Sequence, residues 1–241
     1  MKRIAWIAGF LAVLGAWTAG CTGPTPPKPY PREQLMFLPG SHSLVWAVAP
    51  TVNISGQSHV DPLLQSDLVF QELQQVRGLT VIPVDRVVEV YASLRIDKVE
   101  SEAQAENVCD LLGCDGLIVP TVSAYDPYDP PKMAASLQLF AKPGTVQQVQ
   151  LLDPHELDRS PTVGDMDLPK PHRLVQVVGM YDAADGSVRA HADAYAVGRV
   201  DPNGPMGNRE IYLDMSRYGG FVYHDLISQL LVDLKPDDLP Y

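Results

Sequence analysis

Residues 101–122 read SEAQAENVCDLLGCDGLIVPTV and contain, in order, the signals for a helix start, a helix end and a buried strand. Ser101 and Gln104 form an S-x-x-Q capping box, whose side chains pair with free backbone amides at the start of a helix. An apolar face follows at helical spacing: Val108, Cys109, Leu111 and Leu112. Gly113 stands where helices commonly end in a left-handed residue. The spacing therefore predicts a helix that ends at Gly113.

The run Gly116–Val122 is apolar and rich in β-branched residues, which is typical of a strand buried on both faces in an α/β sheet. Pro120 predicts a bulge or a strand margin within it. Asp126–Pro131 is a turn sequence, and both of its aspartates are assigned to local backbone hydrogen bonds. The next run, Met133–Phe140, alternates apolar and polar residues and predicts a strand that returns antiparallel.

The chain before this stretch predicts two further strands and two further helices. Leu44–Pro50 reads as a first buried strand, and a helix follows from the Asp61 cap to Gly78. Leu79–Val84 is a second strand, after which Asp85 caps another helix. This β-α-β-α-α-β order predicts an α/β fold with some α+β character, in which helices pack on a mixed sheet.

The chain after the hairpin has a less regular pattern. Prolines interrupt residues 141–171 without any sustained period, so we expect an irregular insertion there. Leu174–Tyr181 reads as a strand, and Asp182–Gly186 as a hairpin turn. Ser187–Val197 fits either a returning strand or a helix. Apolar residues from Phe221 to Leu234 recur every three or four positions and predict an amphipathic closing helix.

The amino terminus has the pattern of an export signal, with Lys2 and Arg3 before an uncharged apolar run. It ends at Thr18-Ala19-Gly20-Cys21, which resembles the bacterial lipoprotein signal. The resemblance implies that residues 1–20 are removed and that Cys21 carries the lipid, including a fatty acyl chain such as palmitate. The alternative is an uncleaved membrane helix, which needs about 20 apolar residues. The glycines in the distal half of the run favour cleavage.

Residues 21–40 follow as a proline-rich tether between lipid and domain. Several acyl chains hold a protein durably at a bilayer without spanning it. Thr22 is not the aspartate that retains lipoproteins in the inner membrane, so the resemblance favours the outer membrane, facing the periplasm.

Composition limits the partners of the remaining chain. Removing Lys2 and Arg3 from the 18 basic side chains leaves 16 against 29 acidic ones, a net charge of −13. Nucleic acid is an unsuitable partner, because binding it requires a concentrated basic face. Residues 41–241 suit a single α/β domain, and 46% hydrophobic residues are enough for a core.

Cys109 and Cys114 are the other cysteines of the chain, one in the predicted helix and one just past its end. An oxidising periplasm permits a disulfide between them if the helix end folds back far enough. The alternative is a pair of buried free thiols. A metal site is disfavoured, because no second cysteine pair or nearby histidine completes a tetrahedral set.

The sequence contains no motif for catalysis or for cofactor binding. Its histidines do not have metal-ligand spacing, and no P-loop, dinucleotide fingerprint or nucleophile elbow is present. The densest acidic cluster, between Asp153 and Asp167, lacks the spacing of a calcium loop and reads as a solvated loop. We therefore expect a protein that is not an enzyme and that needs no cofactor or metal.

Three segments together resemble a group of bacterial envelope domains: Val45–Pro50 with Asn53 nearby, Gly78–Val84, and Leu111–Val119. They are similar to the amino-terminal domain of TolB, to the LpoB-type activators of penicillin-binding proteins and to the CsgG-type curli secretion lipoproteins. The match covers residues 44–140. It implies the same arrangement of strands and helices, and a place in the cell envelope.

Together these observations predict an anchored lipoprotein whose domain binds other envelope proteins as a scaffold or regulator. The candidate contact residues are Tyr128, Met166 and Met206, because they lie on the irregular segments between scaffold elements. One alternative is an oligomerising export subunit of the CsgG type, and another is an enzyme of unrecognised type. The oligomeric state and the partner stay open at this point.

Overall fold

A computed structural model describes residues 36–38, 43–142 and 173–234. The strands are β1 (Met36–Phe37), β2 (Leu44–Val48), β3 (Val52–Asn53), β4 (Val76–Arg77), β5 (Leu79–Ile82), β6 (Gly116–Asp126), β7 (Lys132–Ala141) and β8 (Arg173–Asp182). The helices are α1 (Pro62–Leu73), α2 (Val84–Leu94), α3 (Glu102–Leu112), α4 (Gly186–Ala196), α5 (Glu210–Leu213) and α6 (Met215–Asp233), with a 3₁₀ turn at Gly207–Arg209.

The main sheet has the strand order β5-β2-β6-β7-β8, and β3 pairs with the distal part of β6. Strands β5, β2 and β6 are parallel, whereas β6, β7 and β8 are antiparallel neighbours. Strands β5, β2 and β6 are parallel because helices separate them along the chain, and β6 and β7 are antiparallel because a short turn joins them. The predicted mixed sheet with helices packed on it is confirmed.

The two faces of the sheet bury two different helix pairs. On one face, α1 and α6 cover the strands with a large apolar cluster that includes Trp46, Ile118 and Leu137. On the other face, α2 and α3 pack against a smaller cluster that includes Ala47 and Leu117. Adjacent strand residues enter opposite clusters, as the two-residue period of a strand requires.

Pro120 lies inside β6 and not at its margin. It pairs with Leu137 of β7 without a bulge, and the irregularity of this ladder falls between Val122 and Ala124. On the other edge of β6, β2 pairs only as far as Ile118 and β3 begins at Thr121. Pro120 thus occupies the gap between two short partners, where its missing backbone donor leaves no ladder bond unmade.

The predicted capping box on α3 is present, with one change of partner. Ser101 Oγ accepts from the Gln104 amide at 3.3 Å, whereas Gln104 Oε1 accepts from the amide of Glu100 at 2.7 Å. Gly113 ends the helix with φ of +66°, the left-handed value that glycine adopts without steric cost.

Two predicted helix boundaries differ from the structure. Helix α1 ends at Leu73, and Val76 belongs to β4, which pairs with β1 at the edge of the domain. Helix α2 begins after Pro83, so Asp85 lies in its first turn and does not cap it. Local signals tolerate such shifts, because caps and tertiary contacts compete for the ends of an element.

The predicted hairpin turn after β8 is wrong. Asp185 Oδ1 accepts from the amides of Ser187 and Val188 and thereby caps helix α4. The open choice for residues 187–197 is therefore settled as helix through Ala196. Alanine-rich sequence favours a helix when one face can be buried, and Ala192 and Ala196 are fully buried.

The closing helix α6 is longer than predicted, since it begins at Met215 after the Asp214 cap. Gly219 and Gly220 lie within it, although glycine weakens a helix interior. A Cβ atom at Gly220 would lie 2.8 Å from the hydroxyl oxygen of Tyr195. The glycine thus permits a close approach of α4 to α6.

Candidate binding surface

The turn between β6 and β7 holds Tyr128 out into solvent. Asp126 Oδ1 accepts from the Tyr128 amide at 3.2 Å, a local bond that fixes the start of the turn. The Tyr128 side chain is 79% exposed. Large exposed aromatic side chains on rigid turns are common in protein interfaces.

The loop that follows α4 presents Met206 in the same way. Asp201 Oδ1 accepts from the Asn203 amide at 2.9 Å, and the chain then turns through Gly207, whose φ is +51°. Met206 is 56% exposed just before this turn. A flexible, polarisable methionine adapts to differently shaped apolar partners.

These two loops lie side by side. Arg209 Nη2 is 3.6 Å from Asp129 Oδ2, which joins the loop of Met206 to the turn of Tyr128. Both partners of this ion pair are substantially exposed, so it contributes little to stability. Its importance is positional, because residues some 80 positions apart in the chain form one surface. Asp129, which the sequence assigned to its own turn, is the residue that makes this contact.

A cavity of about 480 Å³ opens between the loops and α4. Its lining residues combine two cations, two carboxylates and apolar surface: Asp129, Arg189, Asp193, Asn208, Arg209, Tyr212 and Leu213. Leu213 is half exposed at the rim. We call this set, together with Tyr128 and Met206, the loop surface.

Tyr212 anchors the floor of the loop surface. Its hydroxyl donates to Asp193 Oδ1 at 2.8 Å and lies 3.1 Å from the carbonyl oxygen of Arg189. The Arg189 guanidinium stacks 5.0 Å above the Tyr212 ring. Burial and the Asp193 carboxylate raise the pKa of Tyr212, so the phenol stays neutral and keeps its donated bond.

A buried carboxylate holds α4, the helix that supplies Arg189 and Asp193 to the loop surface. Glu72 of α1 is 5% exposed, and its Oε1 accepts from the hydroxyl of Tyr195 at 2.6 Å. Its Oε2 is 3.0 Å from Nδ1 of His224 and 3.9 Å from Nη2 of Arg199. The carboxylate therefore ties α1, α4 and α6 together.

Arg199 completes this cluster, which borders a smaller cavity of about 220 Å³. Its guanidinium lies 3.9 Å from the centroid of the Tyr195 ring and donates to Gln75 Oε1 at 2.7 Å. The buried carboxylate of Glu72 is tolerated because Tyr195, His224 and Arg199 surround it on several sides. Sequence reasoning missed the cluster, since a glutamate within a helix reads as part of its solvated face.

Tyr128 and Met206 are the predicted contact residues that the structure describes, and both are exposed. Their role in binding stays a prediction. Met166, the third one, lies outside the described residues, as do Cys21, the signal region, residues 22–35 and 39–40 of the predicted tether, and the acidic cluster at 153–167. The predicted tether extends too far, because Met36–Phe37 form β1 against β4 and Leu38 is buried in the core of the domain. Within the described ranges, no group of histidine, cysteine and acidic side chains is arranged to hold a metal ion.

Cys109 and Cys114 lie next to each other, and both are buried, free thiols. Their side chains share a hydrogen bond, which raises the pKa of the donor Cys109 and lowers that of the acceptor Cys114. The backward fold after Gly113 causes this contact, because the Cys114 amide donates to the Cys109 carbonyl at 3.0 Å. The disulfide itself stays a prediction.

Comparison with known proteins found similarity in structure alone. No family model matches the chain, and no curated protein sequence matches it significantly. The C-terminal domain of LpoB from Salmonella enterica is 12% identical with a TM-score of 0.38, over 59% of this chain and 87% of that one. Lipoprotein GNA1162 from Neisseria meningitidis is 14% identical with a TM-score of 0.38, over 63% and 92%.

The hypothetical protein CT253 from Chlamydia trachomatis is 11% identical with a TM-score of 0.40, over 78% of this chain and 96% of that one. Similarity of this degree does not carry a function from one protein to another.

A separate observation concerns the membrane: no helix in the described part of the chain combines the length and the apolar character that a bilayer span requires.

Proposed function

We propose that the chain is a cell-envelope lipoprotein, anchored through Cys21, whose α/β domain binds other envelope proteins by the loop surface and has no catalytic role. The observation that carries the binding role is the contact between Arg209 and Asp129, which unites the Tyr128 turn and the Met206 loop around one cavity. The anchor rests on the lipoprotein-like signal that ends at Cys21.

The chemistry of the loop surface suits a folded or extended protein segment. Tyr128 and Met206 expose apolar groups on the two loops, Leu213 does so at the rim of the cavity, and side chains of both charges line the cavity itself. Interfaces that form and dissociate combine apolar anchors with polar and charged groups, and arginine and tyrosine are enriched in them. A partner with an apolar side chain flanked by both charges would complement this surface.

The tether would set the distance between the binding domain and the membrane. A proline-rich segment is extended and semi-rigid, so residues 21–35, which precede β1, would hold the domain away from the lipid headgroups. Thr22 favours transport to the outer membrane, where the domain would face the periplasm. Separation of inner and outer membranes on a density gradient tests this location, and recovery with the inner membrane would contradict it.

Metabolic labelling with a palmitate analogue tests the anchor. The full chain should incorporate the label, and Cys21→Ala should abolish incorporation. Cys114→Ala is the matched control, because it removes a cysteine outside the signal and should leave labelling intact. Labelling that persists in Cys21→Ala would exclude the lipoprotein assignment.

Photo-crosslinking in intact cells tests the binding role. A benzophenone amino acid at Tyr128 of the full chain should capture a discrete envelope protein, and Met206→Ala in the same chain should reduce capture several-fold. Leu111→Ala is the control, because Leu111 is 60% exposed on α3 and lies outside the loop surface. Equal capture in the Met206 and Leu111 variants would contradict the loop surface as the contact site.

A further inference from the structure

Strand β8 forms one edge of the main sheet. Among the strands in the described ranges it pairs with β7 alone, and the order β5-β2-β6-β7-β8 places it last. The ladder with β7 runs from Arg173 to Asp182 without a register shift. Every second backbone amide and carbonyl of a strand at an edge points away from its neighbour. Ten regular residues thus present a long hydrogen-bonding edge.

The side chains on one face of β8 are exposed and largely apolar. Leu174 is 44% exposed, and Val178 and Met180 are each 64% exposed. Gln176 is the fourth residue of this face. They lie on the side of the sheet that α2 and α3 cover elsewhere, over β2 and the start of β6. We call these four residues the β8 stripe.

Within residues 174–181, strand β8 lacks the sequence features that keep an edge strand unpaired. Natural sheets protect their edges with charged side chains, prolines, bulges or very short strands. Residues 174–181 contain no charged residue and no proline, and β8 is as long as β7. A long, regular and apolar edge is a template for another strand.

We propose that a second copy of this chain occupies the edge, with the two β8 strands antiparallel across a two-fold axis. Each face of a joined sheet must continue across the junction, so residues of the stripe have to meet residues of the partner's stripe. An axis at Val177 satisfies this condition, because it sets Leu174 opposite Met180 and Gln176 opposite Val178. The symmetry repeats both pairings, so the strand is complementary to itself.

Charge also favours this position over the rest of the surface for contact between two copies. The chain has a net charge of −11, so most of its surface repels a second copy. The β8 stripe is uncharged and lets two copies approach without opposing carboxylates. Backbone hydrogen bonds along residues 173–181, together with the two Leu174–Met180 pairs on the stripe, would then hold the dimer. This inference depends on the fold alone, and a failure of the anchor or of the loop surface leaves it standing.

A crosslinking experiment with the full chain tests the proposal. A benzophenone amino acid at Met180 should give a covalent dimer in cells, and peptide mapping should place the crosslink within residues 173–182 of the second copy. Val178→Lys in the same chain should reduce the dimer about tenfold or more, because it sets a cation near its own symmetry mate and removes apolar contact.

Val232→Lys is the matched control, since Val232 is 82% exposed on α6, and it should leave the dimer unchanged. Circular dichroism of both variants checks that the sheet is intact. No dimer from the Met180 probe, a crosslink to a different protein, or a dimer that survives Val178→Lys would each overturn the proposal. Capture of a different protein would instead identify β8 as an edge for a foreign strand.

Discussion

The hydroxyl of Tyr195 donates to Oε1 of Glu72 across 2.6 Å, although 123 positions separate the two residues in the chain. This bond fixes α4 against α1, and α4 in turn supplies Arg189 and Asp193 to the loop surface. The stability of the domain and the shape of its candidate binding surface therefore depend on the same buried carboxylate.

Glu72→Ala should lower the free energy of unfolding by about 3 kcal/mol, because it leaves buried donors without an acceptor. Glu72→Gln keeps one acceptor oxygen and should lower the free energy of unfolding by clearly less. Urea unfolding followed by circular dichroism measures both. Glu89→Ala, at an exposed ion pair with Arg86, is the control and should change stability by less than about 1 kcal/mol. A loss no larger than the control's would refute a structural role for Glu72.

Gly220→Ala tests the close contact between α4 and α6. Alanine ordinarily stabilises a helix by about 1 kcal/mol relative to glycine, but here its Cβ would meet the Tyr195 hydroxyl. In a Tyr195→Phe background that hydroxyl is gone. We therefore expect the change in the free energy of unfolding caused by Gly220→Ala to be more favourable in the Tyr195→Phe background than in the parent, by about 1 kcal/mol. A double-mutant cycle measures this difference. Identical effects in both backgrounds would argue against the contact.

Cys109 and Cys114 should form a disulfide when the chain is exported to an oxidising compartment. Each thiol loses one hydrogen to a dithiol-oxidising protein, and the two sulfurs join. The enclosed loop is short, so the gain in stability should be only about 2 kcal/mol. Mass spectrometry of the non-reduced protein should show the loss of two hydrogens, and Cys114→Ser should abolish it. Two free thiols in exported protein would count against the bridge.

Asp185 should make the stability of α4 depend on pH. Hydrogen bonds from Ser187 and from the amides of Ser187 and Val188 lower the pKa of this carboxyl. Its stabilisation is thus complete above the ordinary Asp value of about 3.9 and is lost as the pH falls through the lower folded value. Asp185→Ala should melt earlier than the parent at pH 7.

The difference in melting temperature between the parent and Asp185→Ala should then shrink in strong acid. Asp185→Asn is the informative control, because asparagine caps a helix without titrating. Its melting temperature at pH 7 should be close to that of the parent, and it should lack the loss of stability in acid that protonation of Asp185 causes. A gap between the parent and the alanine variant that is constant from pH 7 to strong acid would exclude the carboxylate as the source.

The sequence predicted those features of the helices and strands that depend on a few neighbouring residues. The cap at Ser101, the left-handed Gly113 and the alternation in β7 each depend on a few neighbouring residues, and the structure has all three. Patterns failed where a neighbour in space decides the outcome. The segment after Asp185 is a helix whose Ala192 and Ala196 are buried in the core, and α6 carries Gly220 in its interior, where the Tyr195 hydroxyl leaves no room for a Cβ atom.

By itself, the sequence determined the order of the elements, the two apolar faces of the sheet and the absence of a recognised catalytic motif. Periodicity and capping suffice for these features, because they act over one or two turns of chain. Only the tertiary structure decided that Glu72 is buried, that Asp129 meets Arg209 and that β8 is an edge. Each of these depends on contacts between distant segments, whose free energy arises from packing and desolvation that no local pattern records.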